Sequence, residues 1–147
     1  MQNRVFRKLQ IKDLDMVLRM NNDFRENFIH KENAMHFLGN PMNWIIACIQ
    51  DNQIIGFAYG YELNRLDSKG NMLYIHEVGV LPGYQRQGIG LQLLSCIRDI
   101  CKLTGICRFY LITYRHNYAA CALYEKAGGI KSYEAQDDEI VYYFTDF

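Results

Sequence analysis

An α+β fold around a mixed sheet is what this sequence predicts, and three observations carry the prediction. Hydrophobic periodicity switches between the two-residue and the 3.6-residue kind in the order β-α-α-β-β-β-α-β-α-β-β. Two β-rich runs, residues 43–50 and 53–63, are separated only by Asp51-Asn52, a two-residue hairpin signal. A third stretch, Tyr74 to Thr104, reads as a β-branched strand, a loop holding Pro82, Gly83, Gly88 and Gly90, and an amphipathic helix. At 147 residues the chain has the size of one ordinary domain, and no repeat, low-complexity segment or linker divides residues 1–147.

The elements follow in order. Residues 4–9 (R-V-F-R-K-L) alternate apolar and polar, the pattern of a half-buried strand. Asp13 reads as the N-cap of a helix using Leu14, Val17, Leu18, Asn21 and Phe24 or Phe28. A second helix over 31–38 ends at Gly39-Asn40-Pro41. The two hairpin strands come next, then a loop at 67–71, then the strand, glycine loop and helix of residues 74–104. Gly105 is a C′ candidate, and 107–114 is a strand. Asn117 caps a helix over 118–126 that Gly128-Gly129 ends. Residues 130–133 and 139–144 make a final hairpin.

Composition excludes several function classes. Half the residues are hydrophobic and 22% are charged, so the chain is globular rather than disordered. Sixteen basic and sixteen acidic residues cancel, which argues against a nucleic-acid or membrane-surface partner. No apolar run approaches a membrane span, and Met1 to Gln10 has no signal-peptide core, so a cytoplasmic protein is expected. The five cysteines (Cys48, Cys96, Cys101, Cys107, Cys121) form no C-x-x-C pair and suit buried, reduced thiols. Without clustered Cys and His, no metal site is expected.

The loop reads Gln85-Arg86-Gln87-Gly88-Ile89-Gly90. A strand entering a helix through such a loop makes an anion site, because the first-turn N–H groups lack intrahelical partners. A Walker A loop needs Gly-Lys-Ser/Thr, which is absent, and a dinucleotide fingerprint fails at Leu93. What remains is Q/R-x-x-G-x-G/A after a V-x-P turn. It resembles the acetyl-CoA loop of the GCN5-related N-acetyltransferase (GNAT) family. In physical terms, Gly88 and Gly90 let a pyrophosphate approach, N–H groups from about Gln85 to Gly90 point at it, and Arg86 adds charge at the rim. Ile89, Leu93, Ile97, Ile100 and Cys101 place one face of the helix on the sheet. The alternative is a glycine-bearing turn with no ligand.

The resemblance continues along the chain. It implies a GNAT-like single domain, a twisted, mostly antiparallel mixed sheet flanked by about four helices, with acetyl-CoA as co-substrate. It also implies that pantetheine lies along Val78 and Val80, and Gly79 between them is expected to form a bulge. Residues 117–129 resemble the family's N-x-x-A-x-x-L-Y-x-K-x-G-F segment, with Gly129 in place of the aromatic. That resemblance gives Asn117 a contact with the cofactor arm and places Tyr124 opposite the sulfur.

Acetyl transfer from a thioester to an amine needs a neutral amine, an oxyanion donor and a proton for the leaving thiolate. Glu77, a carboxylate in an apolar strand, is the expected base, with its pKa raised by partial burial. The Val78 N–H is the oxyanion donor and Tyr124 the acid. Strand alternation puts Glu77 on one face with Ile75 and Gly79, and His76, Val78 and Val80 on the other. A salt-bridged sheet carboxylate and a core aromatic are the alternative readings of Glu77 and Tyr124. His76, a second base, ranks behind Glu77 because it points away. His116 could line the acceptor side, and Cys121 reads as packing.

Within the family, the sequence most resembles the aminoglycoside 3-N-acetyltransferases. The features are R-V-F-R-K-L, the aromatic-rich N-N-D-F-R-E-N-F, Y-I-H-E-V-G-V, A-L-Y-E-K and the terminal Y-F-T-D-F. The subgroup's acidic residues ahead of the A-x-A-L-Y segment are replaced by Arg115-His116-Asn117-Tyr118. Acids that could line a polycation pocket are Asp23, Glu26, Glu62, Glu77, Asp137, Asp138, Glu139 and Asp146. The acceptor is therefore expected to be a small-molecule amine, aminoglycoside in type. Peptide α-amine or lysine acetylation and a non-catalytic acetyl-CoA-binding module are the alternatives. A homodimer is expected by analogy with the family.

Overall fold

The computed structural model describes residues 3–24, 28–67, 70–132 and 138–147. Its strands are β1 (Arg4–Lys8), β2 (Asn43–Gln50), β3 (Gln53–Leu63), β4 (Met72–Val80), β5 (Arg108–Tyr114), β6 (Ile130–Lys131) and β7 (Glu139–Phe144). Its helices are α1 (Leu14–Asp23), α2 (Lys31–Gly39), α3 (Ile89–Thr104) and α4 (Tyr118–Lys126). The strands make one sheet in the order β1-β2-β3-β4-β5-β7-β6. Every pairing is antiparallel except β4 with β5, the pair joined by the α3 crossover. The expected mixed, mostly antiparallel sheet with four helices is what forms.

Local chemistry explains the turns. Asp51 and Asn52 have φ of 51° and 60°, the left-handed pair that a two-residue hairpin requires. At the end of α4, Gly128 has φ 95°, and the Gly129 N–H reaches back to the Tyr124 carbonyl at 2.8 Å. A Cβ on Gly129 would lie 2.8 Å from the ring of Phe144. A ring from β7 therefore fills the space that a side chain at position 129 would need. The final hairpin is shorter than expected on its first arm. Tyr133, like Ser68 and Lys69 of the earlier loop, lies outside the described residues.

The sheet separates two apolar layers. On one face α1 and α2 bury Val17, Met20 and Ala34 against Ala47, Ile49, Ile54 and Phe57. On the other, α3 and α4 bury Ile89, Leu93, Ile97, Cys101 and Tyr124 against Ile46, Ile75, Phe109 and Tyr142. Cys48 and Cys101 are buried as expected, but Cys107 is exposed at the entry to β5. There the Arg65 guanidinium donates to its sulfur at 3.2 Å.

Asp13 holds the expected N-cap position of α1, but its side chain makes no cap bond there. It is 5% exposed. It accepts two bonds from Arg7, at 2.9 and 2.8 Å, and a third from the Gln10 N–H at 2.8 Å. The bonds from Arg7 hold the Asp13 carboxyl below the ordinary carboxylate range, against the upward push of burial. A depressed carboxylate stabilises the fold above its unfolded pKa of about 4, and that stabilisation disappears as pH falls through the folded value. Asp13→Ala should cost about 2 kcal/mol at pH 7, because charged hydrogen bonds are lost from a group facing a partly exposed arginine. Urea unfolding of both proteins at pH 7 and pH 3 should show the difference shrinking at the lower pH.

Candidate active site

The glycine loop after β4 begins with a short 3-10 turn at Pro82–Tyr84. Arg86 then has φ 63° and Gly88 φ 81°, so two left-handed residues alternate around Gln87. Left-handed residues in such an alternation are the backbone pattern from which anion nests are built. The first described bond into α3 runs from the Gln92 N–H to the Gly88 carbonyl at 3.0 Å. The amides of Ile89, Gly90 and Leu91 therefore have no partner inside the helix, and the dipole adds to them. With the exposed Arg86 at its edge, this loop is the candidate pyrophosphate site.

The two glycines divide the work differently from the sequence reading. Gly88 supplies the positive φ, and a Cβ there would meet nothing within 4 Å. A Cβ on Gly90 would come 2.9 Å from the Leu123 side chain, so Gly90 also lets α4 lie close to α3. The loop is pinned at both ends. Gln85 donates to the Val80 carbonyl at 3.1 Å, and Arg4 donates to the Gln87 side chain. Arg4 also donates to Gln50 at 2.9 Å. Sequence reasoning missed Arg4, because only the sheet brings residue 4 beside residue 87.

Beyond the loop the sheet opens. β4 and β5 pair from Met72↔Arg108 to Ile75↔Leu111 and no further. Residues 76–80 continue along β3, and 112–114 continue along β7. The two strands thus leave a gap between them, with the half-buried Val78 and Val80 along one edge. Such an opening, with a strand edge along it, is the candidate place for an extended cofactor arm.

The bulge lies elsewhere than Gly79. Gly79 pairs in register with Phe57, and its missing Cβ makes room for the Phe57 ring 2.7 Å from where that atom would lie. The extra residue is His76, because Tyr59 faces Glu77 while Gly60 faces Ile75. Gly60 permits this, since a Cβ on it would sit 1.9 Å from the Tyr74 carbonyl oxygen. The consequence corrects the expected faces. Ile75 points into the α3/α4 layer, whereas His76 and Glu77 both point toward the α1/α2 side. The His76 ring lies 5.3 Å from that of Tyr59, and its Nδ1 is 3.2 Å from the Tyr74 hydroxyl.

Glu77 sits in the wall of a cavity of about 310 Å³ between the sheet and helices α1 and α2. The rest of the described wall is mostly apolar and aromatic, with His30, Asn33 and the hydroxyls of Tyr59 and Tyr61 as its other polar groups. Burial, and then the neighbouring Glu77, Tyr61 and Tyr74, push the Tyr59 hydroxyl up to about 12. Of the acids considered for an acceptor pocket, only Glu77 lines this cavity among the described residues. Glu62 instead accepts from Trp44 at 3.1 Å and Asn71 at 2.8 Å. Asp23 borders a separate surface recess. Asp138, Glu139 and Asp146 are not in the cavity wall, and Glu26 and Asp137 lie outside the described residues.

Tyr124 belongs to the other layer. It is 8% exposed, its ring is 5.7 Å from that of Tyr142, and burial pushes its hydroxyl up to about 12. Its phenol therefore stays protonated at any physiological pH. Asn117 caps α4, accepting from the Ala120 N–H at 3.3 Å, so its amide NH₂ is the end left to reach a ligand. His116 is exposed and stacked on Tyr114 at 5.7 Å, apart from the cavity wall. Glu77 and Tyr124 thus face opposite sides of the sheet, and the gap between β4 and β5 opens between those sides.

Comparison with known proteins gives a match over residues 10–129 to the family described as Acetyltransferase (GNAT) family. An acetyltransferase of the GNAT family from Streptococcus pneumoniae superposes with a TM-score of 0.79 at 16% identity, over 98% of this chain and 100% of that one. The aminoglycoside acetyltransferase meta-AAC0020 from an uncultured soil metagenomic sample, in complex with trehalose, superposes with a TM-score of 0.78 at 20% identity. That match covers 92% of this chain and 91% of the other. Arabidopsis thaliana NAA60 in complex with acetyl-CoA gives 0.71 at 17% identity, over 97% and 98%. At these identities the likeness is one of fold.

Proposed function

Because this chain belongs to the acetyltransferase (GNAT) family and so uses acetyl-CoA, we propose that it acetylates a primary amine of a small molecule by direct transfer. The observation that carries the reading is the meeting of three features at one place. The anion nest at Arg86–Gly88 leads into the β4–β5 gap, and Glu77 stands at the acceptor side of that gap.

Acetyl-CoA supplies the activated acetyl group, and the chain's own residues bind, orient and move protons. The amides of Gln85, Arg86, Gln87, Gly88, Ile89 and Gly90 hold the pyrophosphate. Val78 and Val80 align the pantetheine arm, and the Asn117 amide reaches it. Glu77 takes the proton of the acceptor nitrogen, directly or through one water, as nitrogen bonds to the acyl carbon. The Val78 N–H faces the oxygen on which charge develops. As the carbon–sulfur bond breaks, Tyr124 gives its proton to the thiolate and recovers one from solvent.

Thiol release with acetyl-CoA and a panel of amines, checked by product mass, tests the reaction. Tyr124→Phe should lower kcat by roughly 10² and leave KM for acetyl-CoA near its original value, because an acid acts on the step and not on binding. Activity equal to the parent would remove Tyr124 from the mechanism. An aminoglycoside is the acceptor implied by the sequence resemblance, and α-amine or lysine acetylation is the alternative enzyme reading. The same panel, extended with kanamycin and peptides, separates them.

A further inference from the structure

The glycine loop holds a conformation that its own residues do not favour. Arg86, which is not a glycine, has φ 63°, two residues before Gly88 at φ 81°. A left-handed residue with a side chain persists only where surrounding contacts fix it. Residues 85–88 are all exposed, so core packing does not supply those contacts. One support comes from Gln85, which donates to the Val80 carbonyl at 3.1 Å. The other comes from Arg4 on β1, the edge strand three places from β4 in the sheet. Arg4 is itself held in place. Its Nε donates to Gln50 Oε1 at 2.9 Å, and Gln50, its cross-strand partner on β2, is 4% exposed. Nη2 of the same guanidinium donates to Gln87 Oε1, and Cζ stands 6.0 Å from the centre of the Tyr84 ring. One planar group thus links a buried residue of the sheet to the start and the middle of the loop. The Gln87 amide nitrogen turns back to the Gly83 carbonyl at 3.5 Å, so this side chain serves the loop rather than a ligand.

We infer that Arg4 is a positioning residue for acetyl-CoA: through Gln87 it holds residues 84–88 in the form that receives the pyrophosphate, without itself touching the cofactor. The inference rests on the reading of this loop as the pyrophosphate site and adds to it a residue from the far edge of the sheet. A loop already set in its bound conformation loses less freedom on binding, and so binds more tightly. Without the brace, Arg86 is free to leave the left-handed region, and only the fraction of molecules that keeps it there is ready to bind. A lone bond at an exposed position contributes little, because the side chain must first be ordered. Here the buried Gln50 has already fixed the guanidinium, so the bond to Gln87 costs little further ordering. Lysine cannot take this role. Its single ammonium on a flexible stem does not offer two donors fixed in one plane, one for Gln50 and one for Gln87. Substitution therefore separates bracing from charge.

Calorimetric titration of the full chain with acetyl-CoA tests this, with Tm measured alongside. Arg4→Ala and Arg4→Lys should each raise Kd for acetyl-CoA about tenfold, the effect of losing one charge-assisted hydrogen bond. With the best amine of the panel above, KM for acetyl-CoA should rise by a similar factor while kcat stays near the parent value. Gln87→Ala should raise Kd about as much as Arg4→Ala. The two changes together should do no more than either alone, because both remove the same brace. Parent affinity in Arg4→Lys would show that Arg4 acts through its charge, and would overturn the inference. Additive losses in the double variant, or a fall in kcat as large as the rise in KM, would do the same. Gly88→Ala checks the underlying reading: its Cβ would meet nothing within 4 Å, but φ 81° is strained for alanine, so acetyl-CoA should bind more weakly. If Gly88→Ala weakens binding and the Arg4 variants do not, the loop reading stands and the brace is overturned. If none of these changes weakens binding, both are overturned.

Discussion

Glu77→Gln should lower kcat/KM for the amine by roughly 10³, the span of a well-placed general base. Glutamine keeps the shape of the side chain and removes its capacity to accept the proton. Binding of acetyl-CoA should be unchanged, because the anion nest lies at the far end of β4, past Val80. The pH profile adds a second reading. The rate of the parent should rise with pH as the acceptor ammonium loses its proton, then stay level. Burial pushes both Tyr124 and Tyr59 up to about 12, with Glu77 adding to the effect at Tyr59. Raised tyrosine values keep both phenols protonated below that point, so no alkaline fall should appear before about pH 11. A variant retaining a tenth or more of the activity would place the base elsewhere. His76→Gln is then the informative change, since the bulge sets His76 on the same face.

Gly60→Ala should be the most damaging single methyl group in the sheet. The new atom would lie 1.9 Å from the Tyr74 carbonyl oxygen, 2.8 Å from its carbon and 2.9 Å from Ile75 Cα. All three are backbone atoms and cannot rotate away. β3 and β4 must separate, or the bulge must move, at a cost of about 3 kcal/mol or more. For a chain of this length that lowers Tm by about 10 °C. Activity should fall further than stability does, because a shift of one residue in the β3–β4 register turns Glu77 to the other face. Gly39→Ala is the control, as nothing lies within 4 Å of the added atom. Equal Tm for the two variants would mean that β4 tolerates the methyl without shifting.

These two residues show how far a sequence can be read. Glu77 was legible as an acid interrupting an apolar strand, and Gly60 was visible as a glycine inside one. The sequence reading gave the bulge to Gly79, because Gly79 lies beside the expected cofactor edge. In the folded chain Gly79 seats a phenylalanine ring, and Gly60 is the glycine under backbone pressure. Nothing in the pattern of residues 72–80 distinguishes those roles. The pressure comes from a partner strand more than ten residues away.

The order of elements, the hairpin at Asp51-Asn52, the glycine loop ahead of α3 and the α4 cap were determined by the sequence itself. Each depends on torsions, periodicity or hydrogen bonds within a few residues, so local composition suffices. Tertiary structure alone decided which glycine carries the bulge, and therefore that His76 and Glu77 share a face. It also decided that Arg4 braces Gln87, that Phe144 packs beside Gly129, and that aromatic rings gather in the described wall around Glu77. These are contacts between residues far apart in the chain. Their geometry depends on strand register and on which side chains the sheet brings together, and periodicity carries no record of either.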